Sequence, residues 1–404
     1  MGNESGAKSQ PLTGVKVLEL GSLIAGPYAS ALFAQFGADV IKIEPPGVGD
    51  PLRKRRKLHD GTSLWWYVQS RNKKSVSLDL KSEEGRRIIC MLVAETDVLI
   101  ENFRPGTLEK WGLGWDTLSA INPRLVMVRI SGYGQTGPRR HMPGFAAIAE
   151  GMGGLRHVTG YPDRPPVRAG VSIGDTLASL YGMVGALVAI HHVKVNGGMG
   201  QVVDVALYEA VFAVMESLIP EYSLQGVVRG RTGSSLPGIS PSNTYLCRDG
   251  SYVIIAANGD TLFQRLMAAI GRMDLAEDPA LEHNDGRVAR NEELDVAIGE
   301  WTLQHDIADV IRRLESAEVP VGKSFTAADI YQDDHYNARQ MLEKHYLPGG
   351  GPLVTIPGIV PKLSNTPGQT RWLGPELGEH TTEVLAALNI GTDAMNALRA
   401  KGII

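Results

Sequence analysis

Three consecutive segments near the N-terminus predict the fold: Val15-Lys-Val-Leu-Glu-Leu20, Ala29-Ser-Ala-Leu-Phe-Ala-Gln-Phe36 and Asp39-Val-Ile-Lys-Ile-Glu44. The first and third are rich in aliphatic residues and are typical of buried strands, whereas the second is a helical stretch. Gly21 follows the first strand, and Gly37 ends the helix. A strand, a helix and a strand in this order form a βαβ unit, which builds a parallel sheet.

The same alternation continues along the first half of the chain. We predict further strands at residues 75–80, 97–103 and 125–130, a helix at residues 83–94 and a long helix that begins near Asp175. These elements predict an α/β fold with a doubly wound core.

The pattern is interrupted at residues 221–245. Glycine, proline and serine are frequent there, which indicates a loop or a domain boundary. A second strand–helix segment then begins at residue 251 and continues to about residue 330.

Composition excludes several classes of protein. The 404 residues are 43% hydrophobic and carry a formal net charge of −4, so neither a disordered chain nor a bulk nucleic-acid binder is expected. Cys90 and Cys247 are the only cysteines, which is typical of a reducing compartment. Residues 1–12 lack the apolar core of a signal peptide, and the apolar run at residues 177–190 is too short to span a bilayer. We therefore expect a cytoplasmic protein without a membrane segment.

Two cofactor motifs fail on inspection. The run Val321-Gly-Lys-Ser324 resembles the end of a phosphate-binding loop, but the leading glycine would have to stand at Ala317. The turn after the first strand is Gly21-x-x-x-x-Gly26, which is not the GxGxxG of dinucleotide-binding proteins. The histidines show no metal-ligand spacing, so we expect no metal site.

Gly170-Val-Ser172-Ile-Gly174 matches the GxSxG motif of serine hydrolases. The motif precedes a helix, as a nucleophile elbow does, but the preceding segment contains Pro165 and Pro166 and is a poor buried strand. A serine acyl hydrolase that uses Ser172 remains an alternative.

Asp175 stands at the start of the long helix and has two interpretations. Asp is a common N-cap, and the pattern alone favours this role. A carboxylate at a helix N-terminus is also held ionised by the helix dipole and can act as a covalent nucleophile towards an acyl group. In the second interpretation, Gly174 leaves room for a substrate.

Basic residues cluster after the predicted strands. Residues 53–57 and 71–74 are dense in Arg and Lys, and Arg104 and Lys110 follow another strand end. Such runs usually form a solvated surface. Because Arg and Lys also pair with phosphates, a phosphorylated small ligand is the alternative.

Several motifs together resemble the class III CoA-transferases, the CaiB/BaiF and formyl-CoA transferase group. They are Pro11–Leu20 with Ala25-Gly-Pro27, Gly37–Pro45, Asn72–Lys81, Glu101–Gly106, Ser131–Gly137 and Gly378–Leu385. Each motif is short, but their order and spacing cover nearly the whole chain.

The resemblance implies a fold and an assembly. Family members have a large Rossmann-like domain built from both termini and a smaller inserted α+β domain, and their ring-shaped subunits interlock as homodimers. On this chain the implied domains are residues 1–220 and 330–404 for the large one and residues 221–329 for the inserted one.

The resemblance also implies site residues. Asp175 matches the family's nucleophilic aspartate, which forms an aspartyl-CoA thioester. Contacts to coenzyme A carry over to Ile24, Ala25, Leu78, Asp79, Lys81, Asn102, Phe103 and Arg104. Lys110 stands where relatives often carry arginine, so it keeps the charge without the bidentate fork.

The implied activity is reversible transfer of CoA from an acyl-CoA donor, expected to be succinyl-CoA, to a small carboxylic and preferably dicarboxylic acid. Coenzyme A is a substrate, and no cofactor is required. Arg139, Arg140 and residues 230–243 are candidates for holding the acceptor.

Two alternatives stay open beside the serine hydrolase. The first is an α-methylacyl-CoA racemase, a related enzyme with a Gly-His-Asp run where this chain has Gly144-Phe-Ala146. Racemisation needs an acid and a base on opposite faces of the α-carbon, which weakens this reading. The second is an acyl-CoA-binding protein without catalysis.

Overall fold

The computed structural model describes residues 10–404, so most of the signal-peptide prediction for residues 1–12 falls outside the described residues. The strands are β1 (Lys16–Glu19), β2 (Asp39–Glu44), β3 (Leu58–His59), β4 (Thr62–Ser63), β5 (Lys73–Ser77), β6 (Val98–Glu101), β7 (Val126–Ser131), β8 (Val202–Ala206), β9 (Ser242–Leu246), β10 (Tyr252–Ala256), β11 (Val321–Lys323), β12 (Leu342–Tyr346) and β13 (Leu353–Pro357).

The helices are α1 (Ala25–Gln35), α2 (Leu64–Gln69), α3 (Glu83–Val93), α4 (Thr107–Lys110), α5 (Trp115–Ile121), α6 (Ala146–Met152), α7 (Leu155–Val158), α8 (Ile173–Val195), α9 (Leu207–Phe212), α10 (Leu218–Gln225), α11 (Asp260–Ala269), α12 (Met273–Ala276), α13 (Asn284–Ala289), α14 (Asn291–Thr302), α15 (Ile307–Ser316), α16 (Ala327–Gln332), α17 (Asp334–Ala338), α18 (Thr381–Ala387) and α19 (Thr392–Ala400).

A parallel sheet with the strand order β5-β2-β1-β6-β7-β8 confirms the predicted α/β fold. Val17 of β1 pairs with Val40 of β2 on one side and with Val98 of β6 on the other. The chain adds strands outward from β1 in one direction and from β6 in the other. The switch point is therefore between β1 and β6, and open α/β sheets bind ligands at the carboxyl ends of the strands there.

The sheet is buried on both faces. In β7, Val126, Val128 and Ile130 face the cluster that contains Phe33 of α1 and residues of α8. Met127 faces the opposite cluster, formed with helices such as α3, α5 and α18. Because successive strand residues point to opposite faces, this near-continuous apolar sequence is what a central parallel strand requires.

Helix α8 packs its small residues against this sheet. A Cβ on Gly182 would lie 3.3 Å from Val128, and one on Gly185 would lie 2.6 Å from Val203, so both glycines permit the close approach. With 23 residues, α8 is the one described helix long and apolar enough to cross a membrane. Residues 177–190, predicted to be too short to span a bilayer, thus belong to a longer helix and that prediction is wrong, although the core helix of a soluble protein can be equally long and apolar.

The chain divides into two compact units. Unit 1 comprises the described residues up to Leu155, Ala169–Ile219 and Asn337–Ile404, and it contains the parallel sheet. Unit 2 comprises Arg156–Arg168 and Pro220–Tyr336 and contains the antiparallel sheet β11-β10-β9. Its main segment ends at Tyr336, whereas the predicted inserted domain is 221–329, and residues 156–168 join it where Gly160 pairs with Gly233.

A buried cluster of charges links the first strands of unit 1. The Lys42 ammonium group donates hydrogen bonds to Glu19 Oε1 at 2.6 Å and to the Gly21 carbonyl at 3.0 Å, and it lies 2.7 Å from Asp50 Oδ2. Lys73 donates to Glu19 Oε2 at 2.8 Å. All four charged side chains are almost completely buried.

The charges of Lys42 and of the carboxylates around it stabilise one another. Burial opposes charge on Lys42, but Asp50, Glu19 and Glu44 together raise the pKa of its ammonium group. Burial likewise disfavours an ionised Glu19, but Lys42 and Lys73 outweigh it and lower the pKa of the carboxyl group. Lys42 and Glu19 are therefore a charged pair at neutral pH.

We predict that Lys42→Met lowers the free energy of unfolding by about 3–5 kcal/mol, because two buried carboxylates lose their shared cation. Lys74→Met is the matched control. Lys74 pairs with Asp39 and Glu383 at the surface, and such pairs contribute less than about 1 kcal/mol. Urea unfolding measures both variants, and equal losses would contradict this account of the cluster.

Candidate active site

A cavity of about 190 Å³ opens at the switch point of the sheet. We name it the first cavity. It is lined by Ser22–Ala25 after β1, Asn102–Pro105 after β6, Ile130–Gly132 at the end of β7, and Arg140, Met142, Gly144, Phe145, Asp175 and Leu207. The predicted residues Ile24, Ala25, Asn102, Phe103, Arg104 and Asp175 therefore share one cavity.

Asp175 lies in the first turn of α8, as its third residue. The N-cap is Ser172, so the N-cap interpretation of Asp175 is wrong. At this position the positive end of the helix dipole favours the ionised carboxylate. The Ser179 hydroxyl lies 2.7 Å from both the Asp175 carbonyl and the Ala25 carbonyl, which fixes the start of α8 against the start of α1.

Gly174 does not make room for a substrate, as the sequence had suggested. It is buried, and a Cβ there would lie 3.3 Å from Ala146 Cβ and 3.5 Å from the Ala146 carbonyl oxygen. Gly174 therefore allows α6 to pack closely against α8.

The nucleophile elbow predicted as the alternative is absent around Ser172. Residues 165–169, which would have to form its strand, have no regular secondary structure. Ser172 is the N-cap residue of α8 with φ −82° and ψ 66°. The strand–turn–helix geometry that exposes a hydrolase serine is not formed here.

The turn after β1 is strained and held from both sides. Leu23 has φ +65°, a left-handed conformation that a branched side chain rarely adopts. Asp50 accepts from the Leu23 N–H at 3.1 Å, and the Gln69 amide donates to the Leu23 carbonyl at 2.7 Å. Because Asp50 is itself bound to Lys42, the buried charge cluster fixes this wall of the first cavity.

Asn102 holds the same turn through its side chain. Its Oδ1 accepts from the Ser22 N–H at 2.8 Å, and its Nδ2 donates to the Ser22 carbonyl at 2.9 Å. A Cβ on Gly21 would lie 2.9 Å from Asn102 Oδ1, which explains the glycine. Both ends of the amide group are engaged with the protein, so Asn102 joins the turns after β1 and β6.

Glu101 positions the backbone after β6. Its Oε2 accepts from the Phe103 N–H at 2.7 Å, and its Oε1 accepts from Arg129 at 2.7 Å. Arg129 also donates to Glu109. Burial raises the pKa of Glu101 to about 7, although Arg129 acts in the opposite direction.

A second cavity of about 330 Å³ adjoins the same turns. It shares Ser22 and Phe103 with the first cavity. The predicted residues Leu78, Asp79 and Lys81 line it, as do apolar side chains that include Ile43, Val48, Leu80 and Trp111. This second cavity follows the carboxyl ends of β1, β2, β5 and β6.

Arg104 and Lys110, the other two cations predicted for the site, differ in whether they line a cavity. Arg104 is exposed and lines the first cavity. Lys110 is exposed at the end of α4 and lines neither cavity.

Residues 54–57 are exposed, as a solvated surface requires, but Arg53, Arg71 and Lys73 fit neither interpretation of the basic runs at 53–57 and 71–74. Arg53 is buried, donates to both oxygens of Glu44 and stacks on Trp66. Lys73 is buried against Glu19, and Arg71 donates to the Val68 and Pro357 carbonyls. These three side chains are structural and present neither a solvated surface nor a ligand site.

The first cavity also contains Ser131, a residue that the sequence analysis did not predict. Ser131 lines the first cavity but was missed, because the predicted strand ended at Ile130 and the strand in fact includes Ser131. Because ligands meet the carboxyl ends of strands in open α/β sheets, the strand end itself was the signal that would have found Ser131.

The residues predicted to hold the acceptor are placed differently. Arg140 lines the first cavity and Arg139 does not, whereas residues 230–243 belong to unit 2.

The chain is similar to known proteins over almost its full length. The model of CoA-transferase family III matches residues 12–381. Succinyl-CoA–D-citramalate CoA-transferase of Chloroflexus aurantiacus is 48% identical over 98% of both chains. The alpha subunit of succinyl-CoA–L-malate CoA-transferase from the same organism is 42% identical, over 99% of this chain and 94% of that protein.

A solved structure agrees with this assignment. A CaiB/BaiF family protein of Brucella suis superposes with a TM-score of 0.83 at 34% identity, covering 94% of this chain and all of the other. The predicted resemblance is therefore confirmed. The chain belongs to CoA-transferase family III and is an enzyme of the CoA-transferase type.

Proposed function

We propose that this enzyme moves CoA from succinyl-CoA to a small dicarboxylic acid through an aspartyl-CoA thioester on Asp175. The observation that carries the proposal is the position of the Asp175 carboxylate, in the first turn of α8 and on the wall of a cavity at the switch point of the sheet. Two relatives that share 42–48% of the sequence are named for succinyl-CoA as donor.

The proposed reaction begins when the Asp175 carboxylate attacks the thioester carbonyl of succinyl-CoA. The C–S bond breaks, which gives a mixed anhydride and CoA thiolate. The thiolate then attacks the aspartyl carbonyl and releases succinate, leaving CoA on Asp175 as a thioester. The acceptor carboxylate repeats both steps in reverse order and leaves as its CoA thioester.

No electrons are gained or lost in these steps, so the proposal calls for no redox cofactor, and coenzyme A is a substrate. Each attack places negative charge on a carbonyl oxygen. The first N–H groups of α1 and α8 have no acceptor within their own helices, and both helices begin at the first cavity. These N–H groups are suitable donors for the oxyanion.

The two cavities suggest how a long coenzyme is accommodated. The apolar second cavity, with Leu78, Asp79 and Lys81, suits the body of coenzyme A, and the shared residue Phe103 lies where the two cavities meet. From there the coenzyme extends towards Asp175 along the residues Ile24, Ala25, Asn102 and Arg104. Arg104 and Lys110 are exposed cations for the phosphates.

Arg140 is the proposed clamp for the acceptor's distal carboxylate. It lines the first cavity with Asp175, and guanidinium groups bind carboxylates through paired hydrogen bonds. Relatives named for malate and citramalate transfer CoA to dicarboxylic acids, which agrees with a cation at this place.

We also propose an interlocked homodimer in the cytoplasm. Leu180, Tyr181, Val184 and Val188 form an exposed apolar face on α8, and each is at least 40% exposed. Large apolar patches of this kind mark interaction sites. The free thiols Cys90 and Cys247 are compatible with a reducing compartment.

The alternatives have less support. Among the described residues that line the first cavity there is no histidine, and a racemase needs a second proton carrier opposite Asp175. The hydrolase lacks its elbow at Ser172. A protein that only binds acyl-CoA does not need a carboxylate in the cavity.

We predict that Asp175→Asn lowers kcat for CoA transfer by at least about 10³-fold, because the amide cannot form the covalent intermediate. Ser172→Ala is the matched control on the same turn and is expected to keep full activity. Steady-state assays of CoA transfer from succinyl-CoA test both. Loss of activity in the serine variant alone would contradict the role of Asp175 and favour Ser172 as the nucleophile.

We predict that Arg140→Gln raises KM for dicarboxylic acceptors by about ten- to a hundredfold, since charge-assisted hydrogen bonds to the distal carboxylate are lost. The KM for a monocarboxylic acceptor such as butyrate is expected to stay unchanged. Arg139→Gln is the control and is expected to resemble the wild type. Equal effects on both classes of acceptor would contradict the role of Arg140.

We predict that analytical ultracentrifugation of the wild-type enzyme gives a molar mass twice that of one chain. A double Val184→Glu, Val188→Glu variant is expected to be monomeric, because two charges in an apolar interface are strongly destabilising. Val296→Glu on α14, another exposed valine, is the control. A wild-type enzyme that sediments as a single chain would refute the homodimer.

A further inference from the structure

A buried arginine on β7 holds the segment that follows β6 at both of its ends. Arg129 Nε donates to Glu101 Oε1 at 2.7 Å, where β6 ends. Its two terminal nitrogens donate to the carboxylate of Glu109 in α4 at 2.7 and 3.2 Å. Arg129 and Glu101 are buried, whereas Glu109 is exposed. Residues 102–108 therefore run between two attachments to a single guanidinium group.

The segment held in this way forms part of both cavities. None of the three charged side chains lines the first or the second cavity, so they act on a ligand only through the segment between them. Asn102–Pro105 line the first cavity, and Phe103 also lines the second. The Phe103 ring packs edge-on against Trp111, with the ring centroids 5.3 Å apart. The position of this segment therefore sets the width of the passage from one cavity to the other.

Strand register brings these charges together. Glu101 of β6 pairs with Arg129 of β7, which pairs with Asp204 of β8 on its other side. Burial raises the pKa of Asp204, and Arg129 opposes that effect. Glu109 approaches Arg129 past Gly114, where a Cβ would lie 3.0 Å from Glu109 Cγ. One cation thus serves several carboxylates.

Both carboxylate oxygens of Glu101 face hydrogen-bond donors. Oε1 accepts from Arg129, and Oε2 accepts from the Phe103 N–H at 2.7 Å. A protonated carboxyl group carries a hydrogen on one oxygen and would lose one of these two bonds. Burial raises the pKa of Glu101 to about 7; Arg129 opposes this shift and Glu109 adds to it. The contacts that hold Phe103 therefore depend on a proton that is exchanged near neutral pH.

We propose that Glu101 and Arg129 are positioning residues for coenzyme A, and that the ionised Glu101 carboxylate keeps the segment after β6 in its binding position. The inference rests on the proposed function, in which coenzyme A occupies the two cavities. Without the charge on Glu101, the beginning of the segment loses its tie to β7, and Asn102–Arg104 hold the coenzyme less tightly.

Isothermal titration calorimetry with coenzyme A tests the proposal without turnover. Wild type is compared with Glu101→Gln, which keeps the size of the side chain and removes its charge. Glu109→Gln changes the exposed end of the same network, so the proposal stays testable if the buried variant does not fold. Asp260→Asn is the matched control, because Asp260 is also an exposed carboxylate paired with a buried arginine, Arg287, but lies in unit 2.

We expect Glu101→Gln to weaken coenzyme binding about tenfold at about pH 8, and Glu109→Gln to weaken it about two- to threefold. Asp260→Asn is expected to bind like the wild type. At about pH 6 the ratio of the dissociation constants of Glu101→Gln and wild type is expected to fall towards one, because the wild-type Glu101 is then protonated. This ratio cancels the titration of the coenzyme's own phosphates, and a purely structural role of Glu101 would not change it with pH.

Equal affinities of Glu101→Gln and wild type at the higher pH, or a ratio that stays constant with pH, would overturn the inference. An equal weakening in Asp260→Asn would do the same, as would an unchanged affinity of Glu109→Gln if Glu101→Gln does not fold. A wild-type enzyme that binds coenzyme A but transfers none would overturn the proposed function instead and leave the comparison of affinities valid.

Discussion

The ammonium group of Lys42 lies between Glu19 and Asp50 in the interior of the sheet, and the geometry of the candidate site depends on it. Lys42 also binds the Gly21 carbonyl, while Asp50 accepts from the N–H of Leu23. The left-handed conformation of Leu23 is unfavourable by itself and persists because these contacts impose it. A buried ion cluster thus fixes the turn that separates the two cavities.

Asp175, the proposed nucleophile, lies at the start of a helix that is fixed to this turn. The Ser179 hydroxyl lies 2.7 Å from the backbone carbonyl oxygens of Asp175 and Ala25, so the beginning of α8 is fixed relative to the beginning of α1. From the other side, the Asn102 amide and the Glu101 carboxylate hold Ser22 and Phe103. Since α8 also lies directly on β7 and β8 through its glycines, the carboxylate is carried by the rigid core of unit 1. Covalent catalysis benefits from such positioning, because small displacements of the reacting groups slow the reaction.

The sequence predicted the parallel sheet because strand and helix periodicities are local, and the resemblance assigned the family. It did not reveal which charged residues are buried, because their partners are distant in sequence. Arg53 and Lys73 belong to basic runs, yet they pair with Glu44 and Glu19 inside unit 1. Ser131 was missed by one residue at a strand end, and Gly174 was given to the substrate although its neighbour is Ala146. These errors concern burial, a strand end and a contact between helices, which composition and spacing do not determine.

If coenzyme A becomes covalently attached to Asp175 during the reaction, mass spectrometry of the enzyme incubated with succinyl-CoA alone will detect it. We expect a species heavier by coenzyme A less one water, with the added mass on the peptide that contains Asp175 and removed by hydroxylamine. An active preparation in which that peptide stays unmodified, with and without trapping, would rule out the covalent intermediate.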